Sequence, residues 1–205
     1  MEKNIYDAYV DILKEELLPA MGCTEPIAVA YAGALAKRAL GALPEQVDLC
    51  VSGNIIKNVK SVIVPHTGGR KGLKVAVAVG ICCGDAAQEL EVISGVTEPQ
   101  LKELDEYLEQ VEVKISESAA NCPFDIQVTV YHGASSAYAR IIGNHTNVVS
   151  IKKDDTVLLE VPFQDDLVQA PENRKLLDVE HIVRFADEVK IPDVQEVLQR
   201  QIDYN

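Results

Sequence analysis

Residues 27–40, Ile-Ala-Val-Ala-Tyr-Ala-Gly-Ala-Leu-Ala-Lys-Arg-Ala-Leu, are apolar or small on nearly every side, which limits the folds open to this chain. A helix of that kind keeps no broad face for water, so it has to be covered all round, and its Ala and Gly positions let neighbours approach closely. The chain must therefore build layers around this segment. Gly41 supplies a C-cap for it.

The material for those layers is present. Of 205 residues, 47% are apolar and 25% charged, enough for one substantial core or two small ones. Before the apolar helix, residues 5–18 carry Ile5, Ala8, Tyr9, Ile12, Leu13 and Leu17 at helical spacing, an amphipathic helix. Residues 19–24 break it, Thr24 is placed to cap the next helix, and Pro26 is tolerated in a first turn. Residues 47–51 read as a short strand, and Ser52-Gly53-Asn54 turns the chain into a helix beginning near Ile55. Residues 73–83 are read as a buried helix on their Ala and Gly content. Thr97-Glu98-Pro99 opens another, through Gln110.

From residue 111 the pattern changes to short β-runs at 111–116, 125–131, 136–142, 148–152 and 157–161, joined by short turns that predict an antiparallel sheet. Helices at 177–189 and 194–202, following a loop at Pro171 and separated by Pro192, are available to cover it. The expected class is α/β in the α+β sense: buried apolar helices at the amino end plus an antiparallel sheet covered by carboxy-terminal helices. The expected division is a mainly helical part at 1–110 and a sheet-bearing part at 111–205.

Charge narrows the partners. Nineteen Lys and Arg against 32 Asp and Glu leave −13, which repels nucleic acid and anionic membranes, so neither is an expected partner. No apolar run approaches the roughly 20 residues of a membrane span, and the start lacks a signal peptide's basic-then-apolar order. Five cysteines, an odd number with no CxxC spacing, argue for reduced thiols and a cytoplasmic location. Cys50, Cys82 and Cys83 read as core filling, and Cys122 before Pro123 as exposed.

Cys23 is the candidate catalytic residue. It stands where Met21-Gly22-Cys23-Thr24-Glu25-Pro26 meets the apolar helix, and unpaired N–H groups at a helix start favour a thiolate below the usual cysteine range. Glu25 reads first as a complement to the helix dipole. The segment from His66 to Gly72, with Arg70 and Lys71 among its glycines, has the ingredients of an anion-binding loop without P-loop spacing, so a small carboxylate suits it better than a nucleotide. Ser52, Asn54 and Lys57, with Asn58, lie at a strand-to-helix switch where a substrate's ammonium or carboxylate can be held. His145-Thr146-Asn147 falls at a hairpin tip, and His132 and His181 show no ligand-like spacing. For Cys23 the competing explanation is a small buried cysteine filling a helix junction, and for the loop residues an ordinary turn or a solvated side chain.

Gly22-Cys23-Thr24-Glu25-Pro26 followed by Ala28 and Ala30, then Ser52-Gly53-Asn54-Ile55 with Lys57, Asn58 and Val59, and finally His145-Thr146-Asn147, together resemble the L-cysteine desulfidase family, related to the iron–sulfur L-serine dehydratase alpha domain. The resemblance runs through essentially the whole chain in the same order. It implies a lyase that uses a [4Fe–4S] cluster, without pyridoxal phosphate, to turn L-cysteine and water into pyruvate, ammonia and sulfide, in amino-acid catabolism. Members of that family are roughly twice as long, and their three cluster cysteines belong to the later half. The resemblance thus implies an amino-terminal portion, a fragment holding no cluster ligands, partnered by a carboxy-terminal half and inactive alone. Cys23 becomes by position the thiolate that removes or relays the α-proton, and Ser52, Asn54, Lys57, His145 and Asn147 become candidates for substrate binding. Arg70 and Lys71 join them from charge and glycine context alone. The rival expectation is a non-catalytic small-carboxylate or amino-acid binding module, and a structural assembly domain is a third. L-cysteine, L-serine and other β-substituted amino acids stay open as substrate, and the chain is compatible with a homo-oligomer.

Overall fold

A computed structural model describes residues 1–18, 22–163 and 172–204. Pro19, Met21 and Pro171, used above as breaks, lie outside them. The chain divides into two compact units, Met1–Pro19 with Asp166–Asn205, and Ala20–Asp165.

In the unit Ala20–Asp165, the apolar segment forms helix α2, Thr24–Leu40, with twelve buried residues running all the way round it. Gly41 ends it in the left-handed region at φ 81°, its N–H donating to the Lys37 carbonyl. Cys23 is the residue at the N-cap; Thr24 already has helical geometry, because the chain turns extended one residue earlier than side-chain preference suggests. Helix α3 spans Gly53–Val59, α4 Leu73–Cys83 and α5 Glu98–Gln110, the last with a capping box between Thr97 and Gln100. A short 3-10 helix, Ala86–Glu91, follows α4.

Helices α2 and α4 cross at backbone contact. A Cβ at Gly80 would lie 1.9 Å from the Ala30 carbonyl oxygen, and one at Gly33 would lie 2.8 Å from that of Val77. The close approach requires both glycines.

Strands β1 (Gln46–Val51), β2 (Glu112–Glu117), β3 (Asp125–His132), β4 (Ser135–Ile142), β5 (Val148–Lys153) and β6 (Thr156–Glu160) form one sheet, ordered β2-β1-β3-β4-β5-β6. The sheet is α+β in class and mostly antiparallel, but β2 departs from the expectation by pairing parallel to β1, Gln46 opposite Glu112. The reason is connectivity: α5 returns the chain to the start of β1 before β2 begins, so the two run the same way. Alternation places Val47, Leu49 and Val51, Ile126, Val128 and Val130, and Ala137, Ala139 and Ile141 on the buried face. Helix α2 packs on β3, β4 and β5 across that face.

The other face carries polar side chains. Asp125, fully buried, accepts from Arg140 Nε at 2.8 Å, Gln127 Nε2 at 2.8 Å and Ser118 Oγ at 2.5 Å. Cys122 is buried, contrary to expectation, because its thiol donates to the Phe124 carbonyl at 3.3 Å and packs with Ile142 and Val149.

The other unit consists of α1 (Lys3–Glu16), a 3-10 turn (Glu172–Leu176), α6 (Val179–Glu188) and α7 (Ile191–Tyr204) around Tyr9, Val10, Phe185, Val194 and Val197. Phe185 meets the rings of Tyr6 and Tyr9 at 5.5 and 5.2 Å. Pro192 sits in the first turn of α7 and does not separate the helices, since a missing N–H costs nothing there. No helix among the described residues is long and apolar enough to cross a membrane.

Candidate functional site

Gly22 holds φ 116°, where a Cβ would come within 3.2 Å of Pro65, and so sets Cys23 exposed at the head of α2. One turn edge later, Glu25 gathers three neutral donors. Its Oε2 accepts from the Cys23 thiol at 3.3 Å and from Thr24 Oγ1 at 3.4 Å, and its Oε1 accepts from Asn58 Nδ2 on α3 at 3.4 Å. Glu25, read from sequence as a dipole complement, is the hub that joins α2 to α3.

That arrangement reverses the expected thiol chemistry. Burial pushes the Cys23 thiol up, and its hydrogen bond to Glu25 and the carboxylate's charge push it further, outweighing the backbone N–H of Glu25 that favours the thiolate. The helix start does act, but an anion two residues away acts more strongly. Burial pushes Glu25 up as well, yet its own backbone N–H, the Cys23 thiol, His145 and Asn58 together hold it below the usual carboxylate range. The resting pair is a thiol donating to a carboxylate.

His145, on the β4–β5 turn, acts on Glu25 through charge. The turn is locked by Thr146 N–H donating to Asn144 Oδ1 at 3.1 Å and by Asn147 Nδ2 donating to the Ile142 carbonyl at 2.8 Å. The imidazole lies against Phe124, centroids 4.5 Å apart at 57°. Burial pushes it below the ordinary histidine range, against the opposing pull of Glu25, so it is neutral at physiological pH. Its Nε2 is buried without a hydrogen-bond partner among the described residues. Ser52, buried at the head of α3, donates not to its own helix but to the Pro123 carbonyl at 2.7 Å, tying this corner to the segment that carries Phe124.

The remaining candidates separate. Asn54 and Lys57 stand exposed on α3. A Cβ at Gly53 would lie 2.6 Å from Glu117 Oε1, so only glycine admits that carboxylate beside the helix start. Arg70 is engaged inside its own surroundings: Nε and an Nη donate to the two oxygens of Asp105 at 2.7 and 2.5 Å, and the other Nη to the Thr67 carbonyl. Buried Thr67 donates to the Val64 carbonyl at 2.7 Å, so the 66–72 segment is stapled together. Lys71 is exposed and bridges Ile63 through its backbone. His132 Nδ1 lies 3.0 Å from the Leu43 carbonyl, and His181 Nδ1 2.6 Å from Asp178.

Hydrogen bonds therefore join Cys23, Glu25 and Asn58, while His145 acts on Glu25 through charge and packs on Phe124. Phe124 carried no local signal, since it acts only across a tertiary contact, whereas Asn58 lay within the strand-to-helix switch read from sequence and gains its link to Glu25 on folding. Among the described residues no three His, Cys, Asp or Glu side chains converge to hold a metal ion. In the other unit, a groove between α1 and α7 is lined by Asp7, Asp11, Asp193 and Glu196 with Lys14 and Arg200. It holds none of the thiol or imidazole groups of this cluster.

Known proteins similar to the chain carry a name that states no activity. The chain is 44% identical over 204 residues to a UPF0597 protein of Desulfitobacterium hafniense, all of this chain matching 47% of that protein. It is 40% identical over 206 residues to a UPF0597 protein of Treponema denticola, covering 48% of it, and 38% identical to one of Fusobacterium nucleatum, again covering 48%. The chain spans about half the length of these relatives. No family model matches it, and no solved structure does.

Proposed function

We propose that this chain is the amino-terminal part of a lyase that eliminates the β-substituent of a small L-amino acid, L-cysteine or L-serine, giving pyruvate, ammonia and sulfide or water. The observation that carries this reading is the Cys23 thiol donating to an ionised Glu25 beside a neutral imidazole. Elimination needs a base at the α-carbon. In this reading the Cys23 thiolate, formed as its proton leaves to water, takes the α-proton while the Cβ–S or Cβ–O bond breaks; the departing sulfide or hydroxide takes up a proton, and water hydrolyses the resulting enamine, through its imine, to pyruvate and ammonia. The up-shifted thiol makes that thiolate a strong base once formed.

The motif resemblance to cysteine desulfidases and serine dehydratases supports the same reaction class. The [4Fe–4S] cluster that the resemblance implies would draw its ligands from outside these 205 residues. The partner in this reading is a polypeptide equivalent to the other half of the twice-longer relatives, and five free thiols with a charge of −13 favour the cytoplasm.

The test is turnover by the complete polypeptide encoded by the gene that contains this chain, assayed for pyruvate with L-cysteine and with L-serine. Cys23→Ser is expected to lower turnover by about 10³-fold or more with unchanged folding. Full turnover in that variant, or none by the unaltered protein with either substrate, refutes the proposal. A second reading, a non-catalytic amino-acid binding module, is favoured by the raised thiol, which leaves Cys23 protonated at rest. Ligand uptake by the 205-residue chain without turnover in the complete protein selects it.

A further inference from the structure

Helix α6 turns its apolar face away from the core it belongs to. Val179, Ile182, Val183 and Ala186 recur at i, i+3, i+4 and i+7, forming one stripe, while Glu180, Arg184, Asp187 and Glu188 fall on the other side. A helix patterned this way ordinarily buries its stripe. Here the stripe is open: Val179 is 78% exposed, Ile182 50% and Val183 57%, and the helix enters its own core through Phe185, at the margin of the stripe. The charges of the polar side are met within the unit, Arg184 Nε donating to Glu188 at 2.7 Å and the Met1 amino group to the same carboxylate. The unit as a whole shows the same imbalance. Its core is Tyr9, Val10, Phe185, Val194 and Val197, while Ile191 and Ile202 on α7 join the α6 stripe in being exposed, at 66% and 67%. A unit this small has little apolar surface to leave uncovered.

We propose that the α6 stripe is the docking surface for the polypeptide that makes up the other half of the twice-longer relatives, which receives Val179, Ile182, Val183 and Ala186 in an apolar groove. The UPF0597 relatives match this chain from end to end, α6 included, and carry about as much polypeptide again. Polypeptide tethered to the chain meets α6 at an effective concentration of about millimolar, which a second copy arriving by diffusion does not reach. The i, i+3, i+4, i+7 spacing is that of the anchors a helix presents to a groove. Glu180, Arg184 and Asp187 then stay in water as the polar rim of the contact. Covering the stripe removes the apolar surface that the small core of this unit leaves open.

The inference shares with the lyase reading its partner polypeptide and none of its chemistry, so the two fail separately: shielding of α6 reads the partner whatever the reaction, and pyruvate formation reads the reaction whatever surface the partner uses. Ile182→Cys on the stripe and Glu180→Cys off it are placed in the 205-residue chain and in the complete polypeptide encoded by the gene that contains it. Alkylation by iodoacetamide is followed at each site by peptide mass spectrometry, which separates the new thiols from the native ones. The Ile182→Cys thiol is expected to react at least about tenfold more slowly in the complete polypeptide than in the 205-residue chain, and the Glu180→Cys thiol at the same rate in both. Ile182→Lys, which puts a charge on the stripe, is expected to lower the Tm of the complete polypeptide and to leave that of the 205-residue chain unchanged. Equal rates for the Ile182→Cys thiol in the two proteins overturn the proposal, as does an equal change in Tm. Slow reaction in the 205-residue chain itself also overturns it, because the stripe is then covered without the partner.

Discussion

Replacing Gly80 with alanine tests whether the α2–α4 crossing sets the geometry of the core. The added Cβ would lie 1.9 Å from the Ala30 carbonyl oxygen, 2.5 Å from its carbon and 2.6 Å from Cα, all backbone atoms that no rotamer change can move. Against an ordinary 3.4 Å contact the shortfall is about 1.5 Å, so the helices have to part. A gap of even ~0.5–1 Å forfeits a quarter to a half of each dispersion contact across it. Overpacking of this kind costs about 1–3 kcal/mol, and an immovable backbone puts Gly80 at the upper end. Alanine's better helix propensity returns about 0.5–1 kcal/mol, for a net loss of about 2 kcal/mol. For a domain of this size that is a fall in Tm of about 4–8 °C. The assay is urea and thermal unfolding of Gly80→Ala beside Gly95→Ala, where a Cβ meets nothing within 4 Å and φ is not left-handed. Gly95→Ala is expected to be neutral or slightly stabilising. Gly33→Ala added to Gly80→Ala should cost less than the sum, because both open the same crossing. A Gly80→Ala variant within about 0.5 kcal/mol of the parent would refute the close-approach reasoning, since the propensity gain alone would then suffice.

Three further outcomes follow from the site and the sheet. Iodoacetamide should alkylate Cys23 more slowly at neutral pH than an unperturbed exposed thiol, and Glu25→Gln should speed it by removing the charge that raises the thiol; a slower or unchanged rate in the variant contradicts the assignment. Because burial holds His145 below its unfolded value, the unfolded chain binds the proton first as pH falls. Stability should therefore drop from about pH 6.5 downward until the depressed folded pKa is reached, and denaturant melts of His145→Phe should lack that part of the slope. Asp125→Ala strips the fully buried carboxylate from Arg140, Gln127 and Ser118, and should cost about 3 kcal/mol, seen as a lower urea midpoint at unchanged m-value; a loss under about 1 kcal/mol would show that the network is dispensable.

The elements were legible wherever their signal is local. The all-round apolar pattern of residues 27–40 identified α2 as the covered helix, and Thr97 with Pro99 located the start of α5 within one residue. Short β-runs marked all six strands, and in β1 and β3 the alternation follows from a strand with one buried face. Cys23 stood out for the same reason, at a discontinuity between a break and an apolar run.

What tertiary structure decided is what depends on neighbours distant in sequence. Periodicity could not show that β1, whose Gln46 pairs with the distant Glu112, lies between β2 and β3 with one parallel neighbour; the return path of α5 settles that. Nor could it show that Gly33 and Gly80 face opposing backbones. The sign of the Cys23 shift was the sharpest divergence. The helix start is written in the sequence and favours a thiolate, but burial and the final position of the Glu25 carboxylate arise only on folding and outweigh it. Likewise His145 reads as a solvated turn residue until Phe124 covers one face and burial leaves Nε2 without a donor. Sequence determines which groups exist and which elements carry them; desolvation and distance, which set their chemistry, exist only once the chain has packed.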